Sequence, residues 1–428
     1  MSDTFSYRNG ILHAEDVSLE AIAKGVGTPT YVYSSAKLKQ NYKEFSEPFK
    51  GLKTTIHYAN KSNANQAVAR TLIECGAGVD ITSGGELERA LDAGAAPDKI
   101  IFSGVGKTKD EIAAALKAGV RQLNVESIPE LKQISAIASE IGKKAPVALR
   151  VNPNVAAHTH RKISTGEMGT KFGIDHAQLD EAMSLVKTLP NLEFRGFTVH
   201  IGSHLHNYDN FREAYGKFAE MVKHWQGKGY AFHGLDLGGG VGIPYDGQTQ
   251  APFSDYAAIV RDVFKDFSGE LSFEPGRRLV GDAGILLTRV VYDKQGASKR
   301  FLIIDAGMND LVRPAMYDAR HSIIPVREPK SGDAKLADVV GPVCETSDLF
   351  GVDYSLPGVG QGDLVAILQA GAYSAAMSGN YNGRPLVPEV MVSGGQHAVV
   401  RKRVSVSEQM GWESLPPWMA SAKTAKNA

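Results

Sequence analysis

Cysteine is nearly missing: 428 residues contain two, Cys75 and Cys344, too few for a disulfide framework and in keeping with a reducing compartment. Net charge is missing too, because 47 Lys and Arg balance 47 Asp and Glu. A chain without a field of one sign has no general attraction for nucleic acid or an anionic membrane, so a small-molecule partner is expected. No run approaches the ~18 apolar residues of a membrane span, and the opening MSDTFSYRNG has no basic stretch followed by an apolar one. Together these absences read as a cytoplasmic protein. What is present is ordinary globular composition, 43% hydrophobic and 22% charged, and at ~150 residues per domain it suits two or three domains.

From residue 54 onward, short apolar β-branched runs alternate with amphipathic stretches, the signature of βα units. Eight strands are expected, at Thr54 to Ala59, Gly78 to Thr82, Lys99 to Ser103, Gln122 to Glu126, Pro146 to Val151, Phe194 to Ile201, His233 to Leu237 and Glu270 to Glu274. Helix patterns such as ELERALDA (86–93) and DEIAAALKA (110–118) lie between them. Eight such units close an α/β fold of the (β/α)8 TIM-barrel type, typically ~250 residues. The connection from Asn152 to Gly173 is too long for an ordinary turn and is expected to be functional or mobile. After Gly276 the helical pattern stops. Gly284 to Tyr292, Arg300 to Ile304, Ala337 to Val343, Asp363 to Gln369 and Pro388 to Val392 read as strands of a C-terminal all-β domain. The expected division is a barrel over 30–278 and a β domain over 1–29 and 279–420, with a polar, disordered tail at 421–428.

In a barrel, reactive side chains project from the carboxyl ends of the strands. Lys61 follows the first strand, Asp80 lies in the second, and His200 and Ser203 close the sixth. Gly238, Gly239, Gly240 and Gly242 follow the seventh, and Glu274, Pro275, Gly276 and Arg277 follow the eighth. Consecutive glycines let amide N–H groups close on an anion, and the last two barrel loops commonly hold phosphate, so a phosphorylated ligand is expected. An amine, an imidazole and a carboxylate on one rim are the parts that hold pyridoxal phosphate. Lys61 would join its aldehyde, Glu274 would keep the pyridine nitrogen protonated, and His200 would stack on the ring. A lone lysine after a strand is ordinarily a solvated surface charge, but here it shares a rim with the other two.

Tyr58-Ala59-Asn60-Lys61, DITSGGE (80–86), His200-Ile201-Gly202-Ser203, the glycines 238–240 and Glu274-Pro275-Gly276-Arg277 together resemble the alanine-racemase-like, fold type III pyridoxal-phosphate enzymes. Within them the resemblance is to the diaminopimelate decarboxylase family and spans nearly the whole chain. It implies pyridoxal 5′-phosphate as cofactor, held by Lys61, Asp80, His200, Ser203, Gly238, Gly239, Gly240, Glu274, Gly276, Arg277 and Tyr373. Arg313-Pro314 and Tyr317 resemble the family's carboxylate-binding arginine and tyrosine, which ornithine enzymes generally lack. Arg277 would also face a substrate carboxylate, which a guanidinium fork binds bidentately. Cys344-Glu345-Thr346-Ser347-Asp348 resembles a Cys-Glu-x-x-Asp loop in which the cysteine donates a proton and the glutamate meets the distal ammonium. Family members share this loop across a dimer interface, so a homodimer is implied. Tyr373 matches a tyrosine near phosphate and substrate, and KISTGEMGTKFG (162–173) resembles a mobile active-site loop. The implied reaction converts meso-2,6-diaminopimelate to L-lysine and CO2, the last step of lysine biosynthesis, with Lys61, Cys344, Glu274 and His200 catalytic. Two departures stand out: His204 where the family more often has glutamine, and Thr170 where it usually has serine.

Other readings compete. The cofactor motifs are shared with ornithine, arginine and lysine decarboxylases of the same fold. Gly104-Val105-Gly106-Lys107-Thr108 suggests a nucleotide loop, but its spacing needs glycine where Ile101 stands. Pro244 and Tyr245 break the dinucleotide pattern after Gly238. His200, His204 and His206 would suit a metal-dependent hydrolase, yet that reading leaves Lys61 and the Glu-Pro-Gly-Arg turn without roles, so no metal is expected. A non-enzymatic carrier of the cofactor would not need Arg313, Cys344 and Tyr373. Cys75, inside VARTLIECG, reads as a core residue.

Overall fold

The computed structural model describes residues 4–153, 170–329 and 336–420. The apolar runs of the first half are buried on both faces, as strands covered by helices must be: none of Gly78–Ile81, Ile100–Phe102 or Gln122–Val125 has an exposed residue. They belong to a closed barrel of eight parallel strands in sequence order. The others are Thr54–Ala59, Ala145–Arg150, Leu192–Thr198, Gly234–Asp236 and Glu270–Phe273, the last pairing back onto the first. Short loops lead from strand to helix because polar caps stand ready. Ser83 Oγ accepts from Glu86 N–H, Ser127 Oγ accepts from Glu130 N–H, and Thr108 forms a capping box with Glu111. Each such cap stabilises its helix by about 1 kcal/mol, so the carboxyl rim is tightly turned.

The sixth strand ends at Thr198 rather than Ile201, because its neighbour Gly234–Asp236 offers only three residues to pair with. His200 and Ser203 therefore stand on a loop. Residues 154–169 of the long connection, and the tail from 421, lie outside the described residues.

A second, nine-stranded sheet is built around Gly284–Gln295. Thr30–Ser34, which the sequence reading put at the opening of the barrel segment, pairs instead in this sheet. It lies antiparallel to Gly284–Gln295 and parallel to Glu389–Ser393. The residues before it fold as a three-stranded sheet of their own, tied to the second sheet by Leu12 N–H donating to Val326 O at 2.7 Å. Helix does not stop at Gly276: Arg277–Val280 and Arg313–Tyr317 are short helical turns. Cys75 caps the helix Gln66–Glu74 and is half-buried, not in the core.

Hydrogen bonds and one close backbone approach tie the connections of the second sheet to the barrel rim. Asn41, on the helix Ser35–Ser46, donates its Nδ2 to Leu279 O at 2.9 Å and to Asp282 Oδ1 at 2.7 Å, which fixes the turn that begins with Arg277. Gly371 lies so close to that turn that a Cβ would meet Val280 O at 1.8 Å. Asn63 Nδ2 donates to Gly371 O at 3.1 Å, and Tyr373 N–H donates to Ser62 O at 2.8 Å.

Candidate active site

The first barrel strand runs into a one-turn helix, Asn60–Ser62. It is pinned by Tyr58 OH donating to Asn63 O at 2.7 Å and Ser62 Oγ donating to Ala59 O at 2.8 Å. Lys61 emerges from this turn into a cavity of about 390 Å³, with 41% of its side chain exposed. Its Nζ donates to Asp80 Oδ2 at 3.1 Å, and Asp80 is fully buried. Burial pulls the ammonium down, but Asp80 and then Glu274 outweigh it and the net shift is upward. The second carboxylate oxygen of Asp80 has no partner among the described residues.

Glu274 follows the eighth strand, buried, and belongs to a network the sequence did not reveal. Its Oε1 accepts from Ser103 Oγ at 3.2 Å and from Asn124 Nδ2 at 3.1 Å. Asn124 also donates to Asp236 Oδ2 at 3.2 Å. Burial, then the charges of Asp236 and Asp80, push Glu274 well above the usual carboxylate range. Asp236 is raised as well, mainly by burial, but is stabilised by a hydrogen bond with Glu274. Two carboxyls buried together disfavour a second negative charge, and the upward push is the stronger on Glu274.

His200 is held well below its ordinary pKa by burial, Arg150 and Lys61, so its ring is neutral. Its Nδ1 accepts from Gly239 N–H at 3.3 Å. His206 Nε2 faces His204 Nε2 at 3.1 Å. His204 and His206 thus face each other while His200 turns to Gly239, so the three imidazoles do not converge on one point, which disfavours the metal reading. Gly240 lines the cavity at φ +108°, where a Cβ would meet Gly202 O at 2.4 Å. Gly238 and Gly239 pack beneath, against Val199 O and Glu274 O. Lys107 of the GKT sequence is a buried structural cation, donating to Glu130 Oε1 at 2.6 Å and Asn124 O at 2.7 Å.

Across the same cavity stand two guanidiniums. Arg277 donates Nη1 to Tyr245 OH at 2.8 Å and Nη2 to Ser203 Oγ at 3.5 Å, and lies 4.8 Å from the Tyr373 ring centroid. Tyr373 adopts the left-handed φ of +54° to reach it, a costly conformation of the kind that clusters at functional sites. Arg313 and Tyr317 open and close one helical turn, and both line the cavity. Arg313 Nη1 lies 2.6 Å from His321 Nε2, and the other ring nitrogen of His321 lies 2.8 Å from Leu368 O. The carbonyl fixes the tautomer: Nδ1 donates to it and Nε2 accepts from Arg313. Burial and Arg313 hold His321 down to about 3, while burial pushes Arg313 down to about 10. Neither Arg277 nor Arg313 forms an ion pair among the described residues, and each keeps a buried Nε without a partner.

The cavity therefore gathers Lys61, His200, Ser203, Gly240, Glu274 and Gly276 with Arg277, Arg313, Tyr317 and Tyr373. Cys344 and Glu345 do not line it. Cys344 is exposed, and Glu345 is an exposed carboxylate accepting from Tyr381 OH at 2.7 Å and Ser347 Oγ at 2.8 Å. Asp348 is buried beneath them and accepts from Val343 N–H at 2.6 Å and Met308 N–H at 2.7 Å, anchoring their loop. Residues missed at sequence level are Asn124, Asp236, Tyr245 and His321. The one available signal was that Asp236 stands two residues before the glycine run.

The donor set fits pyridoxal phosphate: an amine, a neutral flat imidazole and a carboxyl share one cavity with a glycine-lined wall. Residues 35–281 match the family model described as pyridoxal-dependent decarboxylase, pyridoxal binding domain. The chain is 43% identical over 420 residues to a diaminopimelate decarboxylase from Zymomonas mobilis, covering 97% of this chain and 99% of that one. It is 45% identical over 415 residues to one from Pseudomonas aeruginosa, with coverage of 97% and 100%. The crystal structure of diaminopimelate decarboxylase from M. jannaschii in co-complex with L-lysine is similar at a TM-score of 0.92 and 37% identity, covering 97% and 99%.

Proposed function

The chain belongs to the diaminopimelate decarboxylases, within the pyridoxal-dependent decarboxylases, and from that premise we propose how its own residues release CO2 from meso-2,6-diaminopimelate to leave L-lysine. The observation that carries the reading is that Lys61 shares one cavity with two arginines that form no ion pair among the described residues and keep a buried Nε without a partner. An amine is thereby matched with cations suited to a substrate bearing two carboxylates. Pyridoxal 5′-phosphate, when bound, supplies an electrophilic aldehyde carbon and a ring that accepts the electron pair CO2 leaves behind.

Lys61 Nζ is the amine that anchors the cofactor, and Asp80 Oδ2, 3.1 Å away, orients it and is the acceptor within reach of its proton. Glu274, oriented by Asn124, which also donates to Asp236, would hold the proton at the ring nitrogen. His200 would cover the ring face, and Ser203, Gly240 and Gly276, which line the cavity, would face the phosphate, while Gly238 and Gly239, whose N–H groups donate to Asp236 Oδ1 and His200 Nδ1, would shape the loop behind them rather than meet the anion. Arg277, Arg313, Tyr317 and Tyr373 bind substrate. Cys344 Sγ returns a proton to the carbon that loses CO2, and Glu345 receives the distal ammonium. Because both are exposed and lie off this cavity, we assign them to the site of a second copy in a homodimer. A cytoplasmic location belongs to the same reading, supported by two free thiols. So does a division between barrel and β domain near 278.

The test is CO2 release and product identity with meso-diaminopimelate, ornithine, arginine and lysine as competing substrates. Preference for the diacid is expected, and preference for ornithine would overturn the two-arginine argument. Lys61→Ala and Cys344→Ala should each be inactive, while mixing them should restore up to about a quarter of wild-type sites if the site is shared in a C2 dimer. No recovery on mixing would refute sharing.

A further inference from the structure

Tyr245 stands between the two guanidiniums, and we propose that it is the positioning residue for both, a spacer that lets two like charges face one dicarboxylic ligand. The proposal rests on the substrate reading above and extends it to a residue that reading does not use. Tyr245 comes from the loop after the seventh barrel strand, whereas Arg313 and His321 come from the second sheet's side of the cavity. Its hydroxyl accepts from Arg277 Nη1 at 2.8 Å, and its ring lies under Arg313, with Cζ 4.3 Å from the centroid. One side chain thus meets one cation through an oxygen lone pair and the other through the electron-rich face of its ring.

The surroundings hold the ring in that attitude. His204 packs edge-on at 5.1 Å and 72°, and His321 at 5.0 Å and 76°. Tyr245 N–H donates to Gln248 Oε1 at 3.1 Å, and the side chain is only 5% exposed. Asp246, the next residue, is occupied by Arg320 Nε at 2.6 Å and Ser322 Oγ at 3.0 Å, so it does not neutralise the pair. Two buried cations with no ion pair among the described residues repel each other, and an aromatic ring reduces that repulsion without supplying an anion that would compete with the ligand. A carboxylate here would satisfy the arginines and close the site. The tyrosine leaves both guanidiniums without an ion pair among the described residues, their buried Nε donors included.

The experiment compares the holoenzyme with Tyr245→Phe and Tyr245→Leu. The readouts are steady-state kinetics on meso-diaminopimelate and calorimetric binding of pimelate, the seven-carbon diacid that has no amine to react. Tyr245→Phe keeps the ring face and loses the acceptor. It should raise KM and the pimelate Kd by about tenfold each, with kcat within about threefold. Tyr245→Leu loses both interactions and should raise the two constants by about a hundredfold. Should the leucine variant fail to fold, the nearly isosteric phenylalanine variant decides. KM and pimelate Kd within about twofold of wild type in a folded variant, below the effect of any charged hydrogen bond, overturn the proposal. A fall in kcat alone with pimelate affinity unchanged overturns it too. A wild-type enzyme that releases no CO2 from meso-diaminopimelate overturns the parent reading and this one with it. Normal wild-type turnover with unaffected Tyr245 variants overturns this one alone.

Discussion

Replacing Asn124 with leucine, close to it in volume, isolates what one buried amide does for Glu274. The side chain is 2% exposed. Its Nδ2 serves Ser103 Oγ at 3.0 Å, Glu274 Oε1 at 3.1 Å and Asp236 Oδ2 at 3.2 Å, and its Oδ1 accepts from Gln122 Nε2 at 2.7 Å. Leucine leaves at least the Gln122 amide and one carboxyl oxygen buried without a partner. At about 1–3 kcal/mol for each such group, unfolding in urea should show a loss of about 2–6 kcal/mol. A second consequence has a definite sign. N–H donation favours a charged carboxylate, so its loss drives the already raised Glu274–Asp236 pair further upward. Asp236→Asn does the opposite, because it removes the nearest like charge that raises Glu274. The pH profile of kcat/KM should therefore have its carboxyl-governed limb displaced upward in Asn124→Leu and downward in Asp236→Asn. Displacement of both in the same direction, or a stability loss in Asn124→Leu below about 1 kcal/mol, would refute the network.

His57, 1% exposed, is lowered to about 3 by burial and then Arg121. Because the unfolded chain binds the extra proton, the stability His57 confers is whole above pH ~6.5 and is lost as pH falls toward the folded value. Between pH 6 and 4 the wild type should lose about 1.4 kcal/mol per pH unit more than His57→Gln in denaturant titrations; parallel curves would contradict this. Gly371→Ala forces a Cβ within 1.8 Å of Val280 O. Calorimetry should report a destabilisation of at least about 1–3 kcal/mol, with loss of activity because Tyr373 shifts. Arg313→Lys keeps the charge but loses the fork. KM for meso-diaminopimelate should rise about tenfold with kcat less affected, and an unchanged KM would remove Arg313 from the substrate site.

Much of this site was legible because its signals are local. Lys61 stands two residues after a short strand, Glu274 and Arg277 are three residues apart, and the glycines 238–240 are consecutive. Parallel barrel strands announce themselves as short runs buried on both faces, so their number and order followed from spacing. The sixth strand was read too long because the apolar pattern of Val199 and Ile201 continues after its partner strand has ended. Burial had outlasted pairing.

The sequence by itself determined the eight βα units, the cofactor residues on their rim and the family to which the chain belongs, since each is written within a few neighbouring residues. Only the tertiary structure decided that Thr30–Ser34 pairs with strands more than two hundred residues away, that Asn124 and Asp236 stand behind Glu274, and that Tyr245 separates Arg277 from Arg313. A run of apolar residues states that it will be buried but not beside what, and an asparagine or tyrosine carries no mark of its partner. Those pairings arise from closing the barrel and docking a second sheet against its mouth, a long-range event that no window of sequence contains.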